Sequence, residues 1–320
     1  MSTEESAARA PGRRSVVRIE PGADGRRADS FLASLWKVSV AEARRRWVTA
    51  EVRVDGRLAR KGDRLAAGSA LEFEEPTTSS SETTGTSGTG IRPDPSIVLP
   101  VLYCDDQLVA VDKPPGIASH PLGLDEVGTA ASAIVARFPE CAGASPDARE
   151  GGLVHRLDQG TSGVLLAARS RAAWMSMRQA LADEVCNKRY LAEVNGHPPR
   201  VGRIDAAIGR TGRAGGTVRV GGGGRRPLAA ETRWRVVAET EATALVVAEL
   251  HRGRPHQVRA HLAAAGFPLV GDTRYGAPRA LADAEFHLHA WSVGFVHPVT
   301  GEAVVISAPL PGWAKAAGAV

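Results

Sequence analysis

Residues His155-Arg156-Leu157-Asp158-Gln159-Gly160-Thr161-Ser162-Gly163 form a charged, hydrogen-bonding stretch that runs directly into the apolar Val164-Leu165-Leu166-Ala167-Ala168. A short, continuous apolar run bounded by polar residues reads as a buried strand, here over Gly163 to Ala168. Gly160 and Gly163 permit a tight turn and close approach of a ligand to the backbone. The loop therefore holds Asp158 at the mouth of a strand, among cations and small donors. A carboxylate in that place can act as a nucleophile or a base. It can equally cap a turn and pair with Arg156 or His155.

Two other stretches carry candidate chemistry. In His251-Arg252-Gly253-Arg254-Pro255-His256-Gln257-Val258-Arg259-Ala260-His261-Leu262, Pro255 suits a first helical position and Gly266 a position just past the end. A short helix over 255–265 is predicted, its N-terminus offering orphan N–H groups and cations to an anionic ligand. The histidines 251, 256 and 261 recur every five residues and so diverge around a helix, and no metal site is expected. Lys188 to Val194 alternates as a strand and carries Tyr190, whose side chain would ordinarily pack with its hydroxyl satisfied.

These strings together resemble the RluA-type pseudouridine synthases. The family's H-R-L-D-x-x-T-S-G-L-L-L is met at every defined position except Val164. Its K-P-x-G turn is met by Lys113-Pro114-Pro115-Gly116, and its K-x-Y by Lys188-Arg189-Tyr190. Its T-G-R-T-H-Q-I-R-x-H-L is met at Gly253-Arg254, His256-Gln257, Arg259 and His261-Leu262, with Arg252 and Pro255 in place of the two threonines. Pro268 to Gly276, Leu288-His289-Ala290 and His297-Pro298 extend the likeness over roughly 97–312.

The resemblance implies an isomerase that breaks the bond between ribose and the uracil nitrogen, turns the base, and reattaches it through carbon. That reaction needs no cofactor, metal or activated donor. Asp158 would be the catalytic residue, Tyr190 would lie against the base, and Arg259 would be the charge partner of Asp158. Arg156, His155, Arg254, His256, Gln257 and Lys113 would contact RNA, with Arg156 filling the space that the flipped nucleotide leaves. Ribosomal RNA is the expected substrate and transfer RNA the alternative. A non-catalytic RNA-binding protein would explain the charge but not the complete Asp158 loop. A hydrolase built on Ser162 lacks the nucleophile-elbow spacing.

The elements that must position these residues follow from the rest of the chain. The 320 residues hold 40 Lys plus Arg against 35 Asp plus Glu, for a net charge of +5. That length allows one large domain and one small one. Three widely separated cysteines point to a reducing compartment without structural zinc. With no early apolar leader and no long apolar run, a cytoplasmic monomer without a membrane segment is expected.

Residues 1–15 read as a disordered tail and 77–96, rich in Thr, Ser and Gly, as a flexible linker. Between them, 16–76 shows a helical stripe at Phe31, Leu32 and Leu35 and an alternating Val52 to Arg57 with an Asp-Gly turn. This order resembles the alpha-L (ribosomal S-four type) RNA-binding module. Arg44 and Arg45, beside Arg46 and Trp47, would then grip phosphate, or else form a solvated helix face.

The catalytic domain, 97–320, is expected to be α+β: a mixed, largely antiparallel sheet with flanking helices, preceded by the small α/β module. A hairpin is predicted across Asp105-Asp106, and helices over 129–138 and 171–185, the latter with Trp174, Met177, Leu181 and Val185 on one face. Paired strands are predicted over 231–237 and 243–250. The Gly- and Arg-rich 209–227 reads as a mobile basic loop, either closing on RNA or idle.

Overall fold

The computed structural model describes residues 14–36, 43, 47, 52–60, 62–74, 90–212, 216–222, 224–279, 281 and 286–318. The chain divides into two compact units, Met1–Thr86 and Ser87–Val320. Arg44, Arg45, Arg46 and most of the tail and linker stretches lie outside the described residues.

In the first unit, strands β1 (Arg14–Arg18), β2 (Arg53–Val54), β3 (Arg57–Leu58) and β4 (Ala70–Glu74) form a sheet in the order β1-β4-β2-β3. Helix α1 (Ala28–Leu35) contributes Ala28 and Leu32 to a core with Ile19, Val52, Leu65, Leu71 and Phe73. The β2–β3 turn places Asp55 and Gly56 at φ 48° and 76°, the left-handed pair that the Asp-Gly dipeptide supplies. Leu35, expected in the buried stripe, is exposed because α1 ends there.

The second unit is built on a sheet of nine strands. Its order is β5 (Val101–Cys104), β6 (Leu108–Lys113), β7 (Ser162–Ala168), β15 (Leu288–Val296), β8 (Asn187–Asn195), β14 (Thr243–Leu250), β13 (Glu231–Glu239), β9 (Val201–Asp205), with β16 (Ala303–Ser307) also on β15. Among the described residues β7–β15 is the one parallel pairing in this sheet. The architecture is α+β, as the sequence predicts.

From Gly163 onward β7 is apolar and buried because helices cover both of its faces. Leu165 and Ala167 pack toward α2 (Ala130–Arg137), and Val164, Leu166 and Ala168 toward α3 (Arg171–Ala182). The caps are Thr129, whose Oγ1 accepts from the Ser132 N–H, and Ser170, whose Oγ accepts from the Ala173 N–H. α3 stops three residues short of the expected 185, and Val185 is exposed. The reversal runs through Glu184 at φ 63°.

Two further expectations are corrected. Ile91, in the stretch read as linker, is buried in the α2 core, and Asp94 Oδ2 accepts from the Gly128 N–H at 2.9 Å. Packing of the second unit therefore reaches back past Ile97. The supposed loop 209–227 belongs to a three-stranded sheet of β10 (Ile208–Arg210), β11 (Val218–Val220) and β12 (Arg225–Leu228). Two glycines make it possible: a Cβ on Gly224 would lie 2.3 Å from the Gly209 carbonyl carbon. Ile208 and Val218 anchor this sheet against Ala260 and Tyr275.

Candidate active site

The Asp158 loop is stapled to the Lys113–Ser119 turn. Ser119 Oγ donates to the Leu157 carbonyl at 2.7 Å and accepts from the Leu157 N–H at 2.9 Å. The Gly116 N–H donates to the Gln159 carbonyl, and the Gln159 side-chain amide returns a bond to the Gly116 carbonyl, both at 2.9 Å. Lys113, 0% exposed, donates to the carbonyls of Pro114, Ile117 and Gln159 at 2.8, 2.8 and 3.1 Å. Three acceptors match the three donors of an ammonium. Burial brings its pKa down to about 8, with Asp158 pulling the other way.

Two glycines set how closely this loop packs. A Cβ on Gly160 would stand 2.8 Å from the Phe286 ring. Gly163, at φ 106°, lies where β7 and β15 run side by side, and a Cβ there would be 2.2 Å from the Ala290 carbonyl oxygen. Beside it Ser162 Oγ is 2.9 Å from His289 Nδ1.

From the opposite side comes α4 (Gln257–Ala264). The expected helix start is displaced: His256, at φ 53°, is its cap, and Pro255 lies in the preceding turn. That turn closes through Gln257, whose Oε1 accepts from the Arg254 N–H and whose backbone N–H reaches the Arg254 carbonyl. Gly266, at φ 92°, ends the helix as expected.

Arg259, on the first turn of α4, carries the electrostatics of the site. Its Nη1 donates to Asp158 Oδ2 at 3.0 Å. Nε and Nη2 grip the two oxygens of Asp272 at 2.7 and 2.9 Å. The guanidinium carbon lies 4.1 Å from the centroid of Phe286 and 5.0 Å from that of Tyr275. Asp272 is 2% exposed, whereas the Asp158 side chain keeps 23% exposure. One guanidinium thus ties a buried carboxylate to an accessible one, with aromatic rings limiting its movement.

His256 completes this side. Its Nδ1 is 2.8 Å from the Tyr275 hydroxyl, and its Nε2 is 3.9 Å from Asp158 Oδ1. Burial lowers the His256 pKa, against the pull of Asp158. The Tyr275 hydroxyl also accepts the Val218 N–H at 3.0 Å, which joins the small sheet to the Asp158 cluster. On β8, Tyr190 is half-buried, and burial followed by the charge of Asp158 raises its pKa. Leu157 and Val258, the neighbours of Asp158 and Arg259 in sequence, are both buried.

The structure thus gathers Asp158, Arg259 and His256 directly and couples Tyr190 to Asp158 electrostatically. Arg156 is exposed beside them, and Arg254 is partly exposed with its Nε on the Ala229 carbonyl at 3.1 Å. Three expected RNA contacts are corrected. Lys113 and Gln257 are buried and hold the protein's own backbone, Gln257 by donating to the Glu231 carbonyl at 2.7 Å. His155 is half-buried and turns Nε2 inward to accept the Leu166 N–H at 3.1 Å. Burial takes its pKa down to about 3, which keeps that acceptor unprotonated.

Sequence reasoning missed Asp272, Tyr275 and Phe286. Asp272 and Tyr275 lie in the matched Pro268–Gly276 string without an assigned role, while nothing local marks Phe286.

Comparison with known proteins accords with this geometry. Residues 107–264 match the profile described as RNA pseudouridylate synthase. An uncharacterized RNA pseudouridine synthase of Mycobacterium bovis is 34% identical over 92% of this chain and 93% of its own length. A ribosomal large subunit pseudouridine synthase D of Xanthomonas campestris is 33% identical over 92% of this chain and 88% of its own. The solved structure of human RNA pseudouridylate synthase domain containing 1 superposes with a TM-score of 0.54 at 26% identity, covering 70% of this chain and 89% of its own. The chain belongs to the RNA pseudouridine synthases, isomerases that convert uridine in RNA to its carbon-linked isomer.

Proposed function

We propose that Asp158 is the reacting carboxylate and that ribosomal RNA is the substrate. The observation that carries the first part is the asymmetric clamp at Arg259, which buries Asp272 and leaves Asp158 accessible at the strand mouth. Such a clamp fixes the geometry of a carboxylate before substrate arrives. The target uridine leaves its stack at a cost of a few kcal/mol. Asp158 then attacks the ribose or the ring carbon, or removes a ribose proton. The C1′–N1 bond breaks, the base turns, and the C1′–C5 bond forms as C5 loses its proton and N1 gains one. Tyr190 lies against the base, and Arg156 fills the vacated stack.

The ribosomal assignment is supported by the name of the Xanthomonas relative, a ribosomal large subunit pseudouridine synthase, with transfer RNA as the alternative. RNA grip is supported by the small sheet. Its Arg210, Arg219, Arg225 and Arg226 are exposed, and no Asp or Glu occurs between Ala206 and Ala230. The first unit, as an alpha-L module, adds affinity without chemistry, and the enzyme works as a cytoplasmic monomer.

Mapping pseudouridine in total RNA from cells with and without the gene tests this reading. Loss of sites in ribosomal RNA on deletion is expected. Loss confined to transfer RNA overturns the substrate assignment, and an unchanged map overturns the activity.

A further inference from the structure

Lys188 opens the same strand face that carries Tyr190. It stands two residues earlier on β8, which sets it about 6.5 Å along the strand. The residue is 8% exposed. Its Nζ has a single long hydrogen bond, to the His251 carbonyl at 3.3 Å, and lies 3.6 Å from where a Cβ on Gly253 would sit. Among the described residues no carboxylate forms an ion pair with it. Of the titratable groups that act on it, the Cys186 thiol raises its pKa, whereas the cations Arg178 and Arg254 lower it. Arg178 Nη1 is held on the Val154 carbonyl at 3.0 Å, one residue before the Asp158 loop, and both Arg178 and Lys188 act on His155.

A buried ammonium needs a counter-charge, since an unpaired ion in a poorly solvated site is costly. Burial, with smaller contributions from Arg178 and Arg254 and against the pull of Cys186, brings the Lys188 pKa down to about 8. An anionic ligand would supply the counter-charge that no carboxylate among the described residues gives. Gly253 puts no side chain against the ammonium, since even a Cβ there would already lie in van der Waals contact with Nζ.

We propose that Lys188, flanked by Arg178 and Arg254, forms a subsite for one RNA phosphodiester adjoining the nucleotide that Tyr190 contacts. This rests on the RNA-substrate reading and adds to it a fixed anchor for the backbone. Lys188 is a positioning residue: it holds the nucleotide's phosphate while Asp158 acts on the sugar or base.

The test uses the full-length protein and fluorescent pentauridylates, one unmodified and others carrying a single neutral methylphosphonate at successive linkages. Lys188→Met should weaken binding about tenfold to a hundredfold, the range for a hydrogen bond to a charged group. It should also reduce the slope of log affinity against log salt by about 0.7, one phosphate's share on a single strand. One methylphosphonate position should weaken wild-type binding similarly and have no further effect on Lys188→Met, while Lys188→Arg keeps most of the affinity. The thermal midpoint of Lys188→Met should equal or exceed that of wild type, because an uncompensated buried charge is removed. A merely structural lysine gives the opposite, a lowered midpoint with an unchanged salt slope, and that overturns the subsite. Inorganic phosphate that displaces the pentauridylate at equal concentration overturns the assignment to RNA. If wild type binds no pentauridylate, the substrate reading falls with the subsite, whereas binding without dependence on Lys188 removes the subsite alone.

Discussion

Removal of Arg259 separates the structural from the chemical part of the clamp. Arg259→Met takes away three charge-assisted hydrogen bonds, two of them to Asp272, which is 2% exposed. Breaking a buried ion pair by deleting one partner typically costs about 3–5 kcal/mol, because the other charge is left uncompensated. Asp158 is partly exposed, and water replaces much of its missing bond, so the stability loss arises mainly at Asp272. The double variant Arg259→Met with Asp272→Asn removes the stranded charge, and the Met side chain can pack between the Phe286 and Tyr275 rings. It should recover at least half of the lost stability while remaining inactive, since Asp158 is no longer oriented. Urea unfolding gives the stabilities, and single-turnover pseudouridine formation gives the activities. A single variant as stable as wild type would refute the dependence of Asp272 on Arg259. A double variant with wild-type turnover would refute the orienting role.

Gly160→Ala forces a methyl to within 2.8 Å of the Phe286 ring. It should cost about 1–3 kcal/mol of stability by overpacking and slow turnover by displacing the loop; unfolding midpoints and single-turnover rates check both. His155 has a folded pKa of about 3 against an ordinary 6.5. Between those values the unfolded chain binds a proton that the folded chain does not, so stability falls as pH drops from 6.5 toward 3. Urea midpoints across that window should fall with a shallower slope in His155→Asn, and equal slopes would remove His155 as the cause. Replacing Arg219, Arg225 and Arg226 together by Ser should reduce the salt dependence of RNA binding by about 0.7–0.9 for each phosphate no longer neutralised. An unchanged dependence would show that the small sheet touches no backbone.

The Asp158 loop and its strand were legible because their determinants are local: a polar turn with two glycines feeding a run that two helices must cover. The Asp-Gly hairpin and Gly266 were legible for the same reason, since each places its own φ. Partner choice at a distance was not. That Arg259 grips Asp272 as well as Asp158 depends on a chain reversal after α4, and Phe286 reaches the site only because Gly160 leaves it room. Lys113 and Gln257 were expected on RNA from the resemblance alone, which carries no information on what their side chains meet inside the protein. Here Lys113 finds three backbone carbonyls, and Gln257 the Glu231 carbonyl and the Thr232 hydroxyl, so both are buried. The small sheet was hidden for the converse reason: its strands are three or four residues long, and its glycines, which read as a loop, are what let the backbones meet.

The most direct test of the central claim is single-turnover pseudouridine formation by Asp158→Asn on RNA that the wild-type enzyme modifies. Asparagine keeps the size of the side chain and an oxygen for the Arg259 Nη1 bond, now at 3.0 Å, but lacks the nucleophilic and basic carboxylate. No product above background is expected, with RNA affinity and unfolding midpoint close to wild type. Turnover near the wild-type rate would contradict the assignment of Asp158 as the reacting group.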